Sequence, residues 1–333
     1  MILMIPTARA TTSLLAFAIA ASASAGVPVY PFHAAVAASN PMLWYRFDEP
    51  AGSTTIVNHG SLGAAFNGTT FNGVSLGPGG IVGDGIASFN NTLQQYVESL
   101  AAAPISMTGN PTFTAEAIVR VNAGDANMSN FGYPPMLHWG APFTGESVYF
   151  SLFRFTENRY YAGFYNGGLR TVGTMPQNCF LHIVWVRDSA GGTAGQYAGT
   201  TLYINGVAVP MEPDNTLPGA PVINVTSTTF RVQKATDGTR YFAGAIDEVV
   251  LYDHVLTESE VLAHFAALDL PPLDCRSDLN RDGVVNGADL GLLLGAWDSM
   301  ADCGEPASAD LNCDCIVDGA DLGLMLGAWG PCS

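Results

Sequence analysis

Between Asp278 and Asp321, side-chain oxygens recur at fixed intervals. Asp278, Asn280, Asp282, Asn286 and Asp289 stand at positions 1, 3, 5, 9 and 12 of a twelve-residue segment. Asp310, Asn312, Asp314, Asp318 and Asp321 repeat the pattern in a second copy thirty-two residues later. A hard divalent cation takes about six to eight oxygen ligands, and a loop can wrap one if alternate side chains point inward. The backbone carbonyls of Val284 and Ile316, at position 7, would complete each set. The expected cofactor is Ca2+, with position 9 reaching it directly or through water. An acidic turn capping a helix explains one or two of these residues, not five at the same positions twice. Position 6 needs a left-handed backbone. Gly283 supplies it in the first copy, whereas Cys315 in the second costs about 1–2 kcal/mol. A disulfide from Cys313 or Cys315 would hold that turn.

The register continues past each loop. Leu290, Leu293, Leu294 and Trp297 lie at i, i+3, i+4 and i+7, and Leu322, Met325, Leu326 and Trp329 repeat them. Each set predicts one apolar face of a short helix. Such helices are too short to persist alone, so the two faces are expected to bury each other, tryptophans included. The loop spacing is that of an EF-hand. Loop then helix, given twice without a clear preceding helix, resembles a type I dockerin module over about residues 275–333. The resemblance implies two calcium loops and docking onto a cohesin-like partner. Family members carry Ser or Thr at positions 10 and 11, where this chain has Gly287, Ala288, Gly319 and Ala320.

Formal charge is −17, with Lys234 the only lysine. That balance argues against nucleic acid and anionic membrane and for cations. Residues 1–25 read as a secretory signal peptide, with Arg9, an apolar run over 14–21 and a small-residue site at Ala23-Ser24-Ala25. No later segment is apolar enough to span a bilayer. The expected localisation is secreted or cell-surface. Five of the six cysteines, Cys275, Cys303, Cys313, Cys315 and Cys332, crowd into the tail. Disulfides fit a small exported unit, and irregular spacing disfavours zinc. Five is odd, so either one thiol stays free or Cys179 reaches across. Pro271-Pro272 within residues 269–274 reads as a short linker, holding two modules close without fusing them.

Residues 40–268 have another texture. Short aromatic and β-branched runs separated by Gly, Asn and Pro predict an antiparallel β-sandwich, so the fold class is mainly β with a small α-helical, calcium-loop tail. Candidate strands are 43–47, 86–89, 96–100, 113–121, 148–155, 160–165, 182–187, 201–204, 230–233 and 246–252. Asn205-Gly206 predicts a tight hairpin. Alternation from Phe113 to Val121 predicts one core face. Thr257-Glu258-Ser259-Glu260 is a capping box, the one clear helix start in this region. The strings Leu43-Trp44-Tyr45-Arg46-Phe47-Asp48-Glu49, Phe113–Ala117, His182–Arg187, Leu202–Gly206 and Phe242–Val249 together resemble the concanavalin A-like, laminin G-like jelly roll. Members mostly bind glycans or proteins. A structural calcium is common among them, and the resemblance would place Asp247 at it with Asp48 or Glu49; the alternative is an Asp hydrogen-bonded at a strand end.

Catalysis by glycoside hydrolysis needs two carboxylates flanking the bond. The Glu-x-Asp-x-x-Glu string of laminarinase-type relatives is absent, and Glu116 and Glu146 read as isolated, solvated strand residues. No catalytic residue is assigned. His182 and Trp185 read as core. Tyr133, Trp139, Phe143, Tyr149, Tyr160, Tyr161 and Tyr165 are candidates for a sugar-binding face, about half of them expected to point inward. The expected protein is a non-catalytic, calcium-binding one whose jelly roll recognises a glycan or surface protein and whose tail anchors or docks. The alternatives are a glycosidase or accessory subunit of a polysaccharide-degrading assembly, and a structural surface-layer or matrix protein.

Overall fold

The computed structural model describes residues 30–83, 85–122, 132–152, 157–191, 199–214, 221–235, 237–238, 240–268, 270–273, 275–299 and 309–332. The expected signal peptide and Cys303 lie outside them. Helix α1 (Pro31–Ala38) comes first, followed by β1 (Leu43–Tyr45), β2 (Thr55–Ile56), β3 (Gly68–Phe71), β4 (Ser75–Gly77), β5 (Ile86–Phe89) and β6 (Tyr96–Ala102). Next come β7 (Phe113–Val121), β8 (Pro135–Gly140), β9 (Ser147–Leu152), β10 (Tyr160–Phe164), β11 (Gly167–Thr171) and β12 (Phe180–Arg187). Strands β13 (Thr200–Ile204), β14 (Val207–Ala208), β15 (Met211–Pro213), β16 (Thr229–Val232) and β17 (Gly244–Tyr252) lead to α2 (Glu258–Ala266). The tail holds β18 (Val284–Val285), α3 (Gly287–Gly295), α4 (Gly319–Gly327) and β19 (Gly330–Pro331).

Two antiparallel sheets form a jelly-roll-like sandwich. One runs β14-β13-β12-β7-β17-β5-β4, with β1 also on β17, and the other runs β15-β11-β10-β9-β8-β16-β6-β3-β2. Between them lie Phe113, Ala115, Ala117 and Val119 from β7, Trp185 from β12, Trp139 from β8 and Phe150 from β9. The Asn205-Gly206 hairpin forms as expected, with φ of 46° and 77°. Such positive values match the twist of the flanking strands. Strands 2, 3, 4, 8, 11 and 15 were not among the candidates. They are short, or carry the Gly and Pro that signal turns. Helix α1 was also missed, since it has only two turns, starts at Pro31 without a side-chain cap and is held by packing.

Strand β7 departs from the one-face expectation. Its second face is also buried, beneath α1 and α2, where Phe32, Val36, Ile118, Val184, Val250 and Val261 form a second apolar layer. Glu116 is therefore not solvated but 1% exposed. Its carboxylate meets His182 Nε2 at 2.7 Å, His264 Nδ1 at 3.1 Å and the Tyr252 hydroxyl at 2.8 Å. Beside it, Glu248 faces His33 Nε2 at 2.6 Å and accepts from Trp44 Nε1 at 2.5 Å. Ser39 Oγ meets His264 Nε2 at 3.0 Å. These contacts pin both helices to the sheet.

The linker is less loose than expected. Leu268 and Leu270 are buried in the helix-side layer, and Asn205 Nδ2 donates to Pro271 O at 2.8 Å. Disulfides join Cys179 to Cys313 and Cys275 to Cys332. Cys315 is disulfide-bonded as well. Cys179 thus does reach across and ties the tail to the sandwich. The Cys179–Cys313 bridge spans 134 residues of sequence. Closing so long a loop stabilises by about 5 kcal/mol in the chain-entropy model. Cys179→Ser with Cys313→Ser should lower the denaturant midpoint without changing the sandwich's circular dichroism; an unchanged midpoint contradicts that role.

The buried carboxylates also set a pH response. Burial opposes the charge on Glu116, but His264 and His182 overcome it and hold its pKa below the usual carboxylate range. Burial works against protonated His264, and Glu116 outweighs it, so the His264 pKa is raised. A raised histidine stabilises fully below its unfolded value, about 6.5, and that contribution is lost as pH rises through the folded value. Thermal melting should therefore fall as pH is taken from 6 to 9. His264→Gln should start lower and fall less steeply over that range. For Glu248 the direction is reversed: burial, then Asp247, raises its pKa. Burial, then Arg46, lowers His33 to about 4. Between the unfolded carboxylate and imidazole values the two shifts offset each other; above about pH 6.5 the unfolded pair has lost the proton that folded Glu248 still holds, so the pair adds to the fall in stability.

Candidate functional site

The outer face of the nine-stranded sheet carries an aromatic pocket. Along β9, Val148 and Phe150 point into the core, so Tyr149 points out. Along β10, Tyr160, Ala162 and Phe164 point in, which turns Tyr161 and, just past the strand, Tyr165 outward. Tyr133, Tyr149, Tyr161, Phe164, Tyr165, Asn166 and Arg240 line an open pocket with a cavity volume of about 50 Å³. The Tyr133 and Tyr161 rings meet edge-on at 4.7 Å. Tyr161 donates to Phe164 O at 3.0 Å, and its ring lies against Gly163 and Gly168. A β-carbon at Gly168 would fall 2.4 Å from that ring, so only glycine admits it. The Arg240 guanidinium sits 5.7 Å from the ring centres of both Tyr133 and Tyr149. Burial pushes the Tyr149 phenol well above its ordinary pKa, keeping it a neutral donor. On the rim, Glu212 bridges Arg159 at 2.7 Å and Arg170 at 3.0 Å. Trp139 and Tyr160, by contrast, are core residues, and Phe143 is exposed outside the pocket lining.

Asp247 occupies the extra position of a β-bulge, between the pairs Ile246–Val119 and Glu248–Ile118. It is fully buried. Its Oδ2 accepts from the backbone of Ile81 at 2.5 Å and Val82 at 2.7 Å, while Oδ1 has no hydrogen-bond partner. Asp48 lies near the same glycine-rich turn, against Gly83. Glu49 points elsewhere and accepts from Val57 N at 2.7 Å.

The two acidic loops fold alike, position by position. Asp278 Oδ1 accepts from Asp282 N at 3.1 Å and Oδ2 from Gly283 N at 2.7 Å. Asp310 does the same with Asp314 N at 3.1 Å and Cys315 N at 2.7 Å. Asp289 Oδ1 accepts from Leu279 and Asn280, and Asp321 Oδ1 from Leu311 and Asn312. Asn280 and Asn312 each donate to the position-5 carboxylate, Asp282 or Asp314, at 3.0 and 2.8 Å. Asn286 and Asp318 cap α3 and α4, in capping boxes completed by Asp289 and Asp321. Cys315 adopts φ 76° where Gly283 has 86°, so the second loop keeps its turn despite the side chain. The carbonyl-bearing Val284 and Ile316 turn their side chains to solvent.

Helices α3 and α4 correct the expected apolar face. Leu290 and Leu293, and Leu322 and Met325, pack between the helices. Leu294 is 52% exposed, Leu326 55%, Trp297 43% and Trp329 49%. The helices end at Gly295 and Gly327, so each Trp lies beyond the packed turn. Val285 pairs with Gly330 after α4, and Val317 exchanges hydrogen bonds with Asp298 and Ser299 after α3. Each loop thus pairs with the chain leaving the other helix.

A sequence model of the concanavalin A-like lectin/glucanases superfamily matches residues 91–262, just over half of the chain. The chain belongs to that superfamily. No curated protein matches it. Solved structures with a similar outline include the Trypanosoma rangeli sialidase in complex with the inhibitor DANA, 14% identical over 67% of this chain and 32% of that one, TM-score 0.42. Domain 4 of AbnA, a GH43 extracellular arabinanase from Geobacillus stearothermophilus in complex with arabinotriose, is 16% identical over 68% and 98%, TM-score 0.41. The botulinum neurotoxin serotype C1 binding domain is 12% identical over 68% and 51%, TM-score 0.45. The chain spans about a third of the sialidase and half of the toxin domain.

Within this superfamily sandwich, sequence reasoning found Tyr133, Tyr149, Tyr161 and Tyr165 only as members of a longer aromatic series. It missed Arg240 and the two glycines under Tyr161. The alternation of Val148-Tyr149-Phe150 was the signal that separates outward from inward rings. Gly168→Ala should force the Tyr161 ring off its seat, lowering stability by about 1–3 kcal/mol as over-packed sites do. Urea unfolding of that variant checks it, and an unchanged midpoint counts against the close approach.

Proposed function

We propose that this is an exported, non-catalytic protein that binds a glycan through the tyrosine-lined pocket and carries a calcium-dependent tail for anchoring or partner docking. The pocket carries the reading. Sugars are recognised by flat aromatic faces beside a few fixed polar groups, in a concave site on a rigid scaffold. The carboxylates nearest the pocket are already engaged, Asp214 by the Tyr133 hydroxyl and Asp237 by Arg240 Nε. A glycosidase would need two available ones. On a glycan array, Tyr161→Ala should weaken any bound saccharide at least about tenfold, since the pocket wall is lost and Tyr133, packed edge-on against it, loses its seat. Incubation with polysaccharides should release no reducing sugar. Array binding that survives Tyr161→Ala sinks the pocket assignment.

Oxygen donors alone, three of them carboxylates in the first loop and four in the second, suit calcium better than a softer ion. Asp278, Asn280, Asp282, the Val284 carbonyl, Asn286 and Asp289 would hold one ion. Asp310, Asn312, Asp314, the Ile316 carbonyl, Asp318 and Asp321 would hold the other. In the sandwich, Asp247 Oδ1 is the atom a structural calcium would take. Calcium supplies positive charge among carboxylates that otherwise repel, and so stabilises the tail. An ion at about one hundred times its dissociation constant stabilises by about 2.7 kcal/mol. Chelation should lower the melting temperature accordingly, and Asp278→Ala with Asp310→Ala should leave the tail protease-sensitive. A protease-resistant tail in that double variant removes the calcium role. Disulfides at every described cysteine fit an oxidising, extracellular setting. The exposed leucines and tryptophans of α3 and α4 form the proposed docking side, with a cohesin-like protein as one candidate.

A further inference from the structure

We propose that the pocket is built for a terminal acidic sugar, with the ligand's carboxylate held by Arg240 and Tyr149. This rests on the glycan reading above and names the class of sugar.

Arg240 leans between Tyr133 and Tyr149, and its one ion contact is Nε to Asp237 Oδ2 at 3.3 Å. Its two terminal nitrogens make no hydrogen bond to any described residue. The Tyr149 hydroxyl is buried, in a residue 2% exposed, and the Ser147 hydroxyl beside it makes no well-formed bond to it. Buried donors are almost always paired in native proteins, so an unpaired phenol beside an open guanidinium edge marks a place where an acceptor belongs. A carboxylate accepts two parallel N–H bonds from a guanidinium, a match that a neutral hydroxyl cannot make. It would take the phenol's proton as a third bond. The sugar ring would then lie along Tyr133 and Tyr165, the half-buried rings of the lining.

Size and charge restrict the ligand further. The cavity, about 50 Å³, is well below the roughly 300 to 1,000 Å³ of enclosed small-ligand sites, so it admits the polar edge of one terminal sugar and not a chain. The chain's −17 charge disfavours a long polyanion across the remaining surface. A terminal uronic acid or sialic acid residue satisfies both limits.

Titration calorimetry on the full chain, with methyl β-glucuronide, methyl α-N-acetylneuraminide and methyl β-glucoside, tests this. At least one acid should bind ten-fold or more tighter than the glucoside. Arg240→Gln should abolish that preference while leaving the melting temperature within a few degrees. Arg240→Lys should restore part of it, and Tyr149→Phe should weaken the acid several-fold and the glucoside little. Equal binding of acid and glucoside, or a preference that survives Arg240→Gln, overturns the acidic-sugar inference and leaves the glycan reading standing. Failure of every saccharide, on the array as well, overturns both.

Discussion

Burial of both faces of the β12-β7-β17 core is the constraint on which the molecule depends. One face meets the second sheet and the other meets α1 and α2. Strands closed off from water on both sides cannot carry ordinary alternation, so the polar residues they retain must find partners inside. Glu116, His182, His264 and Tyr252 do so together, as do Glu248, His33 and Trp44. A buried carboxylate stripped of such partners costs about 3–5 kcal/mol, which makes the short helices obligatory rather than ornamental. They supply two of the histidines.

The other sheet is covered differently. The helices lie on one outer face, and the tyrosine-lined pocket opens on the outer face of the nine-stranded sheet. Strand period then decides which aromatic residues serve which purpose. Phe150 and Phe164 fill the core while Tyr149 and Tyr161 stand on the outside of the same strands. Phenols suit that place, since each presents a flat apolar face and a polar edge. Gly163 and Gly168 matter because they let one ring lie flat on the backbone, which sets the depth of the pocket.

Much of this was legible in the residues. Strands β5, β7, β12, β13 and β17 are dense in β-branched and aromatic residues and were found within about two residues of their ends. The strands missed, such as Gly167–Thr171 and Pro135–Gly140, contain residues that weaken a strand locally and are held by their neighbours. Glu116 was misread because a single charge on a strand carries no sign of what covers it. The covering helix α1 lies more than seventy residues away in sequence, and its short apolar run has no cap to announce it. The Arg240 contribution to the pocket was illegible for a related reason: it sits in a local turn paired with Lys234 and Ala235, and nothing there announces the β9 tyrosine it reaches.

The tail repeats the lesson in miniature. Periodicity gave the two helices but overestimated their apolar faces, because it cannot see that each ends at a glycine before reaching Trp297 or Trp329. What packs the tail instead is symmetry. Each loop pairs with the chain leaving the opposite helix, so four short segments lock in two corresponding crossings, one of them the β18–β19 ladder. In that frame, Cys315 is less anomalous than it looked. Its left-handed φ is matched at Cys313, with φ 57°, and at Arg281 of the first loop, with φ 60°. The turn is dictated by amides converging on Asp310 Oδ1 and Oδ2, as they do on Asp278. Both cysteines are cross-linked, Cys313 to the sandwich itself. A backbone already constrained in this way loses less freedom on folding, which offsets the cost of a side chain where glycine is the rule.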